Sequence, residues 1–259
     1  MATNFTDDMA RAAWDRGAEA WAQFVRSGAD YYRTQVHGPA LLEAAAVTEG
    51  MRVLDVGCGE GYFAREMALQ GAAVTAIDVS PVLLALARAE EERAPLGIDF
   101  RLLSGARIRE LGNASYARVT SCMALQDMSD PGACLIGAAS VLGPGGRMVV
   151  SVPHPCTDTV VREWDRDAGG RKRALRIDRY FESGPASCDW SMARLAYRWQ
   201  TPYWRHTLGE WSAMIAAAGF CIRRLQEPCP TATQVREMPE LDDCARIPYF
   251  LVLDLVRAG

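Results

Sequence analysis

Apolar residues recur at three- and four-residue intervals at the start of the chain. Met9, Ala13, Ala20, Trp21, Phe24 and Val25 predict a helix over about residues 7–28. A second helix is predicted over 38–47, with Pro39 in its first turn, where a missing N–H costs nothing. Beyond residue 50 the period changes. Short apolar runs at 52–56, 73–78, 99–103, 117–122 and 147–152 read as buried strands. Helical stretches lie between them at 62–70, closed by Gly71, at 81–93 and at 131–142. Gly143-Pro144-Gly145-Gly146 reads as a turn. Strands alternating with helices at this spacing predict an α/β fold: a parallel sheet with helices on both faces.

The rhythm breaks at His154. Residues 155–205 are polar, arginine-rich and aromatic, and about fifty residues are too many for an ordinary loop, so an inserted lid is expected. A helix resumes over 208–218, and strands at 220–225 and 249–256 follow. The expected organisation is a helical cover over 1–48, a core over 49–153, the lid over 154–206, and a completion of the core over 207–259.

Charge and cysteine usage narrow the partners. A formal charge of -4 and a pI near 5.5, with the arginines scattered among acids, argue against a nucleic-acid surface. The first residues carry no apolar signal core, and no run approaches the roughly 20 apolar residues that span a bilayer. A cytoplasmic protein that binds no membrane is expected. Eight cysteines without a CxxC pair read as reduced thiols serving as small apolar side chains, and no metal centre is expected.

The segment with the most chemistry is Val53-Leu54-Asp55-Val56-Gly57-Cys58-Gly59-Glu60-Gly61. Glycines let a turn after a first strand pass close beneath a ligand, and the helix that starts there offers free N–H groups. Asp78 ends the next strand, where a carboxylate accepts hydrogen bonds from both ribose hydroxyls of an adenosine; the competing role is capping of the helix from Pro81. A dinucleotide needs GxGxxG and room for a pyrophosphate. Here the spacing is GxGxG, and Asp55, two residues before the first glycine, would repel a phosphate but welcome an ammonium.

These residues resemble the class I S-adenosylmethionine-dependent methyltransferases, particularly the small-molecule branch that includes ubiquinone- and menaquinone-type enzymes. Residues 53–63 are similar to that family's first motif and 74–80 to its second. Residues 125–130 and the Val141-Leu142-Gly143-Pro144-Gly145-Gly146-Arg147 run are similar to the segments flanking its fifth strand. The resemblance covers about 40–155 and, in outline, the last 50 residues. It implies a Rossmann-like, seven-stranded, mostly parallel sheet whose last strand is antiparallel. It also implies S-adenosylmethionine as cofactor and S-adenosylhomocysteine as product. Gly57, Cys58 and Gly59 would line the methionine part with Asp55, and Gly61 would close the turn. Asp78 and Val79 would hold the ribose and the adenine edge, and Cys122 and Met123 would lie near the transferred methyl. Tyr32 would fold over the methionine end. Two positions depart from the pattern: Ser104-Gly105-Ala106 stands where an adenine-binding acid is common, and Ala117 stands where an acid often opens the fourth strand.

For the acceptor, His154 at the sheet's ligand-facing edge is the first candidate base and His206 the second; His37 reads as structural. The competing role for His154 is holding the lid's entry turn. Tyr180, Trp199, Tyr203, Trp204 and Arg205, with Trp190, Arg179 and Arg198 nearby, suggest a pocket for a planar or anionic acceptor, or alternatively a satellite core, and the amino-terminal Trp14, Trp21, Tyr31 and Tyr32 would close its other side. The expected function is methyl transfer to an oxygen or nitrogen of a small planar or aromatic metabolite, by a monomer or homodimer. The rivals are an NAD(P)-dependent oxidoreductase and a non-catalytic S-adenosylmethionine-binding protein.

Overall fold

In the computed structural model, residues 5–112, 115–192 and 197–258 are described. The sheet strands are β1 (Arg52–Val56), β2 (Ala73–Asp78), β3 (Asp99–Leu102), β4 (Tyr116–Cys122), β5 (Leu142–Pro153), β10 (Phe220–Gln226) and β11 (Phe250–Arg257). They lie in the order β10-β11-β5-β4-β1-β2-β3, with β11 antiparallel to both its neighbours and the other pairings parallel. The seven strands expected from the sequence are all present, and the last is antiparallel. β5 starts earlier than expected: the glycine-rich segment joins the strand, and the pairing skips from Tyr116–Leu142 to Arg118–Arg147.

Successive side chains of a strand point to opposite faces. Leu54 and Val56 accordingly enter one core cluster, with Leu135 of α5 (Pro131–Val141) and Trp211 of α6 (Leu208–Ala217). Val53 and Val149 enter the other, with Leu41 of α2 (Gly38–Ala45), Phe63 and Met67 of α3 (Tyr62–Leu69) and Leu84 of α4 (Pro81–Arg93). Burial on both faces is why these strands read as near-continuous apolar runs.

The cover is α1 (Asp7–Arg26), capped by the Thr6 hydroxyl accepting from Met9 N. It packs on α4 and on β9 (Tyr197–Arg205) through Ala18, Trp21, Val25, Leu83 and Trp199. Gly17 permits that approach, since a Cβ there would lie 2.3 Å from the Trp199 ring. A π-helical turn, Arg33–His37, runs directly into α2.

The stretch expected to form an inserted lid contains two hairpins, β6 (Val161–Arg166) with β7 (Lys172–Asp178), and β8 (Gly184–Met192) with β9. In the first, charged cross-strand neighbours such as Arg176 and Glu163 face solvent, so no apolar alternation marks the strands. In the second, Trp190 and Trp199 are a cross-strand pair with rings stacked at 5.7 Å. Between β10 and β11 the chain adds α7 (Ala232–Glu237), absent from the sequence reading. Among the described residues, no helix is long and apolar enough to cross a membrane.

Candidate active site

At the carboxyl edge of β1, β2, β4 and β5 lies a cavity of about 420 Å³. This is where the sheet order reverses, the place at which open α/β sheets form a crevice. Its floor is the turn after β1. Gly57 N and Cys58 N both donate to Ile77 O, at 2.8 and 3.0 Å. Gly57 holds φ 72°, and a Cβ there would lie 2.4 Å from the Ala124 methyl. Only glycine fits.

Two carboxyls frame that turn. Asp78 accepts from Gly59 N and Ser80 N, both at 2.8 Å, while the Ser80 hydroxyl caps α4 by accepting from Leu83 N. The capping role is therefore taken by Ser80, and Asp78 lines the cavity. Burial raises the Asp78 pKa, opposed by the backbone N–H groups of Ser80 and Gly59. Asp55 is buried with Oδ1 accepting from the Thr120 hydroxyl at 2.7 Å, while Oδ2 has no partner. Burial pushes this carboxyl up to about 7; Thr120 opposes the rise, and Asp78 and Glu60 add to it. A buried acceptor without a donor is costly, and a ligand ammonium would satisfy it. Burial, then Asp78 and Asp55, also hold the Cys58 thiol well above its ordinary value. These features fit a cationic adenosine ligand such as S-adenosylmethionine and oppose a pyrophosphate.

Of the residues expected to hold a cofactor, Tyr32, Asp55, Gly57, Cys58, Gly59, Asp78, Val79, Ser104, Gly105, Cys122 and Met123 line this one cavity. Gly61 and Ala106 do not. Gly61 begins α3 in the left-handed conformation, beneath the turn, and Ala106 N donates to the Ser104 hydroxyl, supporting it from behind. An acid from elsewhere in the chain lies beside this segment. Asp7, at the start of α1, accepts from the Ser104 hydroxyl and from Ser129 N and Oγ, and lines the cavity beside Ser104.

The acceptor-side expectations fare differently. His154 is off the cavity: it is 3% exposed, its Nε2 meets Glu227 at 2.9 Å, and its Nδ1 accepts from Cys156 N. Burial holds its pKa down against the pull of Glu227. It anchors the turn that starts the insertion, whose Thr157 N and Asp158 N both donate to His154 O. His206 sits between Trp204 and Trp211, also away from the cavity. Tyr180 accepts from Leu208 N at the start of α6, Trp199 is buried against Trp190, Trp204 stacks on His206, and Arg205 lies over the Tyr203 ring. Of the five expected acceptor-pocket residues only Tyr203 reaches the cavity wall. The arginines do not form an anion pocket: Arg179 pairs with Glu182 at the surface and Arg198 is exposed.

The rest of the cavity wall is built instead from Trp14, Trp21 and Phe24 of α1, Arg33 and His37 of the π turn, and Trp190 and Thr201 of β8–β9. Asp127, in the turn after β4, and Asp158, in the insertion's entry turn, complete it. Burial pushes Asp127 up to about 8; the polar edges of Trp14 and Gln126 pull it down, and Asp78 and Asp158 push it further up. Asp158 accepts from the Tyr203 hydroxyl at 2.9 Å and is raised by burial. His37, whose Nδ1 lies 3.6 Å from the Cys122 sulfur, is pushed down to about 3 by burial, then by Arg33. Sequence reasoning missed Phe24, Arg33, Thr201, Asp127 and Asp158; Asp127 lay inside a segment that was read only for its resemblance. Trp14 and Trp21, expected to close the other side of the pocket, and Trp190 of the aromatic insertion do line the cavity.

Known proteins share this arrangement. The methyltransferase domain family matches residues 54–150. A ubiquinone biosynthesis O-methyltransferase from Xanthomonas euvesicatoria pv. vesicatoria is 39% identical over 102 residues, which is 39% of this chain and 43% of that protein. The chain thus aligns with less than half the length of such curated relatives. The structure of an S-adenosylmethionine-dependent methyltransferase from Mesorhizobium loti superposes with a TM-score of 0.72 at 31% identity, over 85% of this chain and 96% of that one. The CcbJ methyltransferase from Streptomyces caelestis, at 19% identity and a TM-score of 0.61 over 85% of this chain and 88% of that one, shares the fold. With the glycine turn, its two aspartates and the sheet order already established, the near full-length match to the Mesorhizobium loti protein means that this chain belongs to the class I S-adenosylmethionine-dependent methyltransferases.

Proposed function

We propose that the chain transfers the methyl group of S-adenosylmethionine to an oxygen or nitrogen of a small-molecule acceptor bound in the same cavity. What carries the reading is the continuity of that cavity: the glycine turn with Asp55 and Asp78 opens directly into a chamber walled by tryptophans from α1 and β8. The volume suits small ligands rather than a polymer.

When bound, the cofactor supplies an electrophilic methyl on a sulfonium leaving group. The chain's own residues hold and align. Asp55 Oδ2 receives the ammonium, and the turn at Gly57, Cys58 and Gly59 lets backbone lie against the methionine part. Asp78 accepts from the ribose hydroxyls beside Val79. Ser104, Gly105 and Asp7 form the adenine end, with Asp7 receiving the amino group. Tyr32 closes the methionine end, its hydroxyl held by donation to Asp243. Cys122 and Met123 floor the transfer point. Displacement at a sulfonium needs alignment and a dry site more than acid–base help, and fixed geometry alone contributes up to about 7–11 kcal/mol. The insertion acts as a lid through β8–β9, with Tyr203 against the acceptor. The chain's partners are the cofactor and the small-molecule acceptor, bound by a monomer or homodimer.

Calorimetric titration with S-adenosylhomocysteine and with NAD⁺, followed by incubation of a metabolite extract with methyl-deuterated S-adenosylmethionine, tests this reading. Binding of the first ligand only, and deuterium in a low-molecular-weight product, is the expected result. Failure to bind S-adenosylhomocysteine, or NAD⁺ binding more tightly, would remove it.

A further inference from the structure

The polar lining of the cavity is lopsided. Seven carboxyls and one guanidinium, Arg33, face it among the described residues. Arg33 is already paired with Asp30 and Glu60 at 3.2 Å each. Asp55 and Asp78 belong to the glycine turn, and Asp7 is held by Ser104 and Ser129. Two carboxyls are left over: Asp127 and Asp158, on the chamber side. Neither is in an ion pair among the described residues, although Arg162 and Arg205 attract Asp158 from a distance. They are close enough together that each raises the Cys188 thiol and Asp158 raises Asp127.

Among the neutral groups beside them, the Tyr203 hydroxyl already donates to Asp158, while Gln126 adds a further acceptor. Gln126, 7% exposed, donates through Nε2 to Met123 O at 2.6 Å, which leaves Oε1 buried without a donor. Around this acceptor-rich corner, Trp14, Trp21 and Trp190 meet with ring centroids 5.0–5.8 Å apart. Aromatic faces attract cations, and carboxylates in a low-dielectric pocket attract them more strongly. An anionic acceptor would meet only repulsion here. A neutral hydroxyl could donate one hydrogen bond here but brings no positive charge.

Building on the methyl-transfer reading, we propose that the acceptor is an amine, recognised as its ammonium by Asp127 and Asp158 within the Trp14, Trp21 and Trp190 walls, and that Asp127 takes its proton before transfer. In the empty cavity Asp127 holds a proton near neutrality; the bound ammonium displaces that proton to solvent, then gives one of its own to the carboxylate so formed, freeing the nitrogen lone pair. The nitrogen forms the N–C bond as the donor's C–S bond breaks, the electron pair staying on sulfur, and the N-methylated product and S-adenosylhomocysteine leave. The proton on Asp127 then passes to solvent. A carboxyl held near 8 is a far better proton acceptor than His37, whose basicity burial removes.

The test uses the full chain saturated with S-adenosylhomocysteine and two matched probe series. These are tryptamine, tryptophol and indole-3-propionate, and phenethylamine, phenethyl alcohol and phenylpropionate, with binding read by calorimetry. The amine of at least one series is expected to bind tenfold or more tightly than its alcohol, with the carboxylate weakest. Asp127→Asn and Asp158→Asn are each expected to reduce that preference to threefold or less, and Asp127→Glu to restore it, while S-adenosylhomocysteine affinity stays within threefold. Equal or stronger binding of the alcohol or carboxylate overturns the proposal, as does no binding of either amine or a preference that survives both Asn variants. Retained S-adenosylhomocysteine binding in any of these cases leaves the methyl-transfer reading intact, whereas its loss in the wild-type chain would refute that reading first.

Discussion

Asp127 carries an electrostatic cost that can be measured without any substrate. Held at about 8, it keeps a proton in the folded chain that the unfolded chain releases near 3.8. Between those values the folded state binds more protons, so this group's contribution to stability falls as pH rises. Asp127→Asn lacks that term. Its unfolding midpoint should therefore gain on the wild type steadily from pH 5 to pH 8, by at most about 1.4 kcal/mol per pH unit; a constant gap would mean an ordinary carboxyl. Asp78→Ala should weaken S-adenosylhomocysteine by about 1.5–3 kcal/mol, the scale for hydrogen bonds to a charged group, and unchanged affinity would remove Asp78 from the ribose. His154→Ala is expected to lower the melting temperature and leave the turnover number unchanged, because its ring holds Glu227 and Cys156 rather than a ligand; a large loss of turnover would return it to the chemistry. Which of these residues was legible follows from locality. The glycine turn and Asp78 are marked by local signals, the glycine spacing and the end of a strand, although the bond from Gly59 N to Asp78 spans 19 positions. His154 was read correctly as lying at the sheet edge, but nothing in the sequence says which way a side chain turns there. Asp7 reaches Ser104 across 97 positions, a contact no local pattern carries.

The elements of the insertion divide the work unequally. Cys188, Trp190, Thr201 and Tyr203 of β8–β9 line the cavity, while no residue of β6–β7 does. Val161 and Asp178 face each other across the first hairpin, so their ends can be joined directly. Replacing 162–177 with a short glycine linker should keep S-adenosylhomocysteine affinity within about threefold, at some cost in melting temperature, because Lys172 leaves Asp243 unpaired. Loss of cofactor binding would show that the hairpin shapes the site after all. Strands and helices of the core were readable because burial on one or two faces imposes a period on the sequence. The first hairpin was not, because a ribbon exposed on both sides imposes none; the second buries only Trp199 and Thr201 in alternation, too short a pattern to stand out from the polar run around it.

At the scale of the molecule, α1 and β8–β9 are some 170 positions apart in sequence yet form one cover, joined through Trp21, Trp190 and Trp199 over the carboxyl edge. Net charge gave no hint of this place: a chain at -4 concentrates seven carboxyls around one cavity, and the arginines that suggested an anionic acceptor stand outside it. Because Asp7 ties the start of α1 to Ser104, and α1 in turn packs on β9, a ligand at the adenine end restrains a helix that restrains a hairpin. S-adenosylhomocysteine at a hundred times its dissociation constant should stabilise the folded chain by about 2.7 kcal/mol. If the cover moves as one body, the associated slowing of amide exchange appears in Asp7–Arg26 and in β8–β9 together. Protection confined to the turn after β1 and to Asp78 would mean that cofactor and cover are energetically separate, and that only the acceptor closes the chamber.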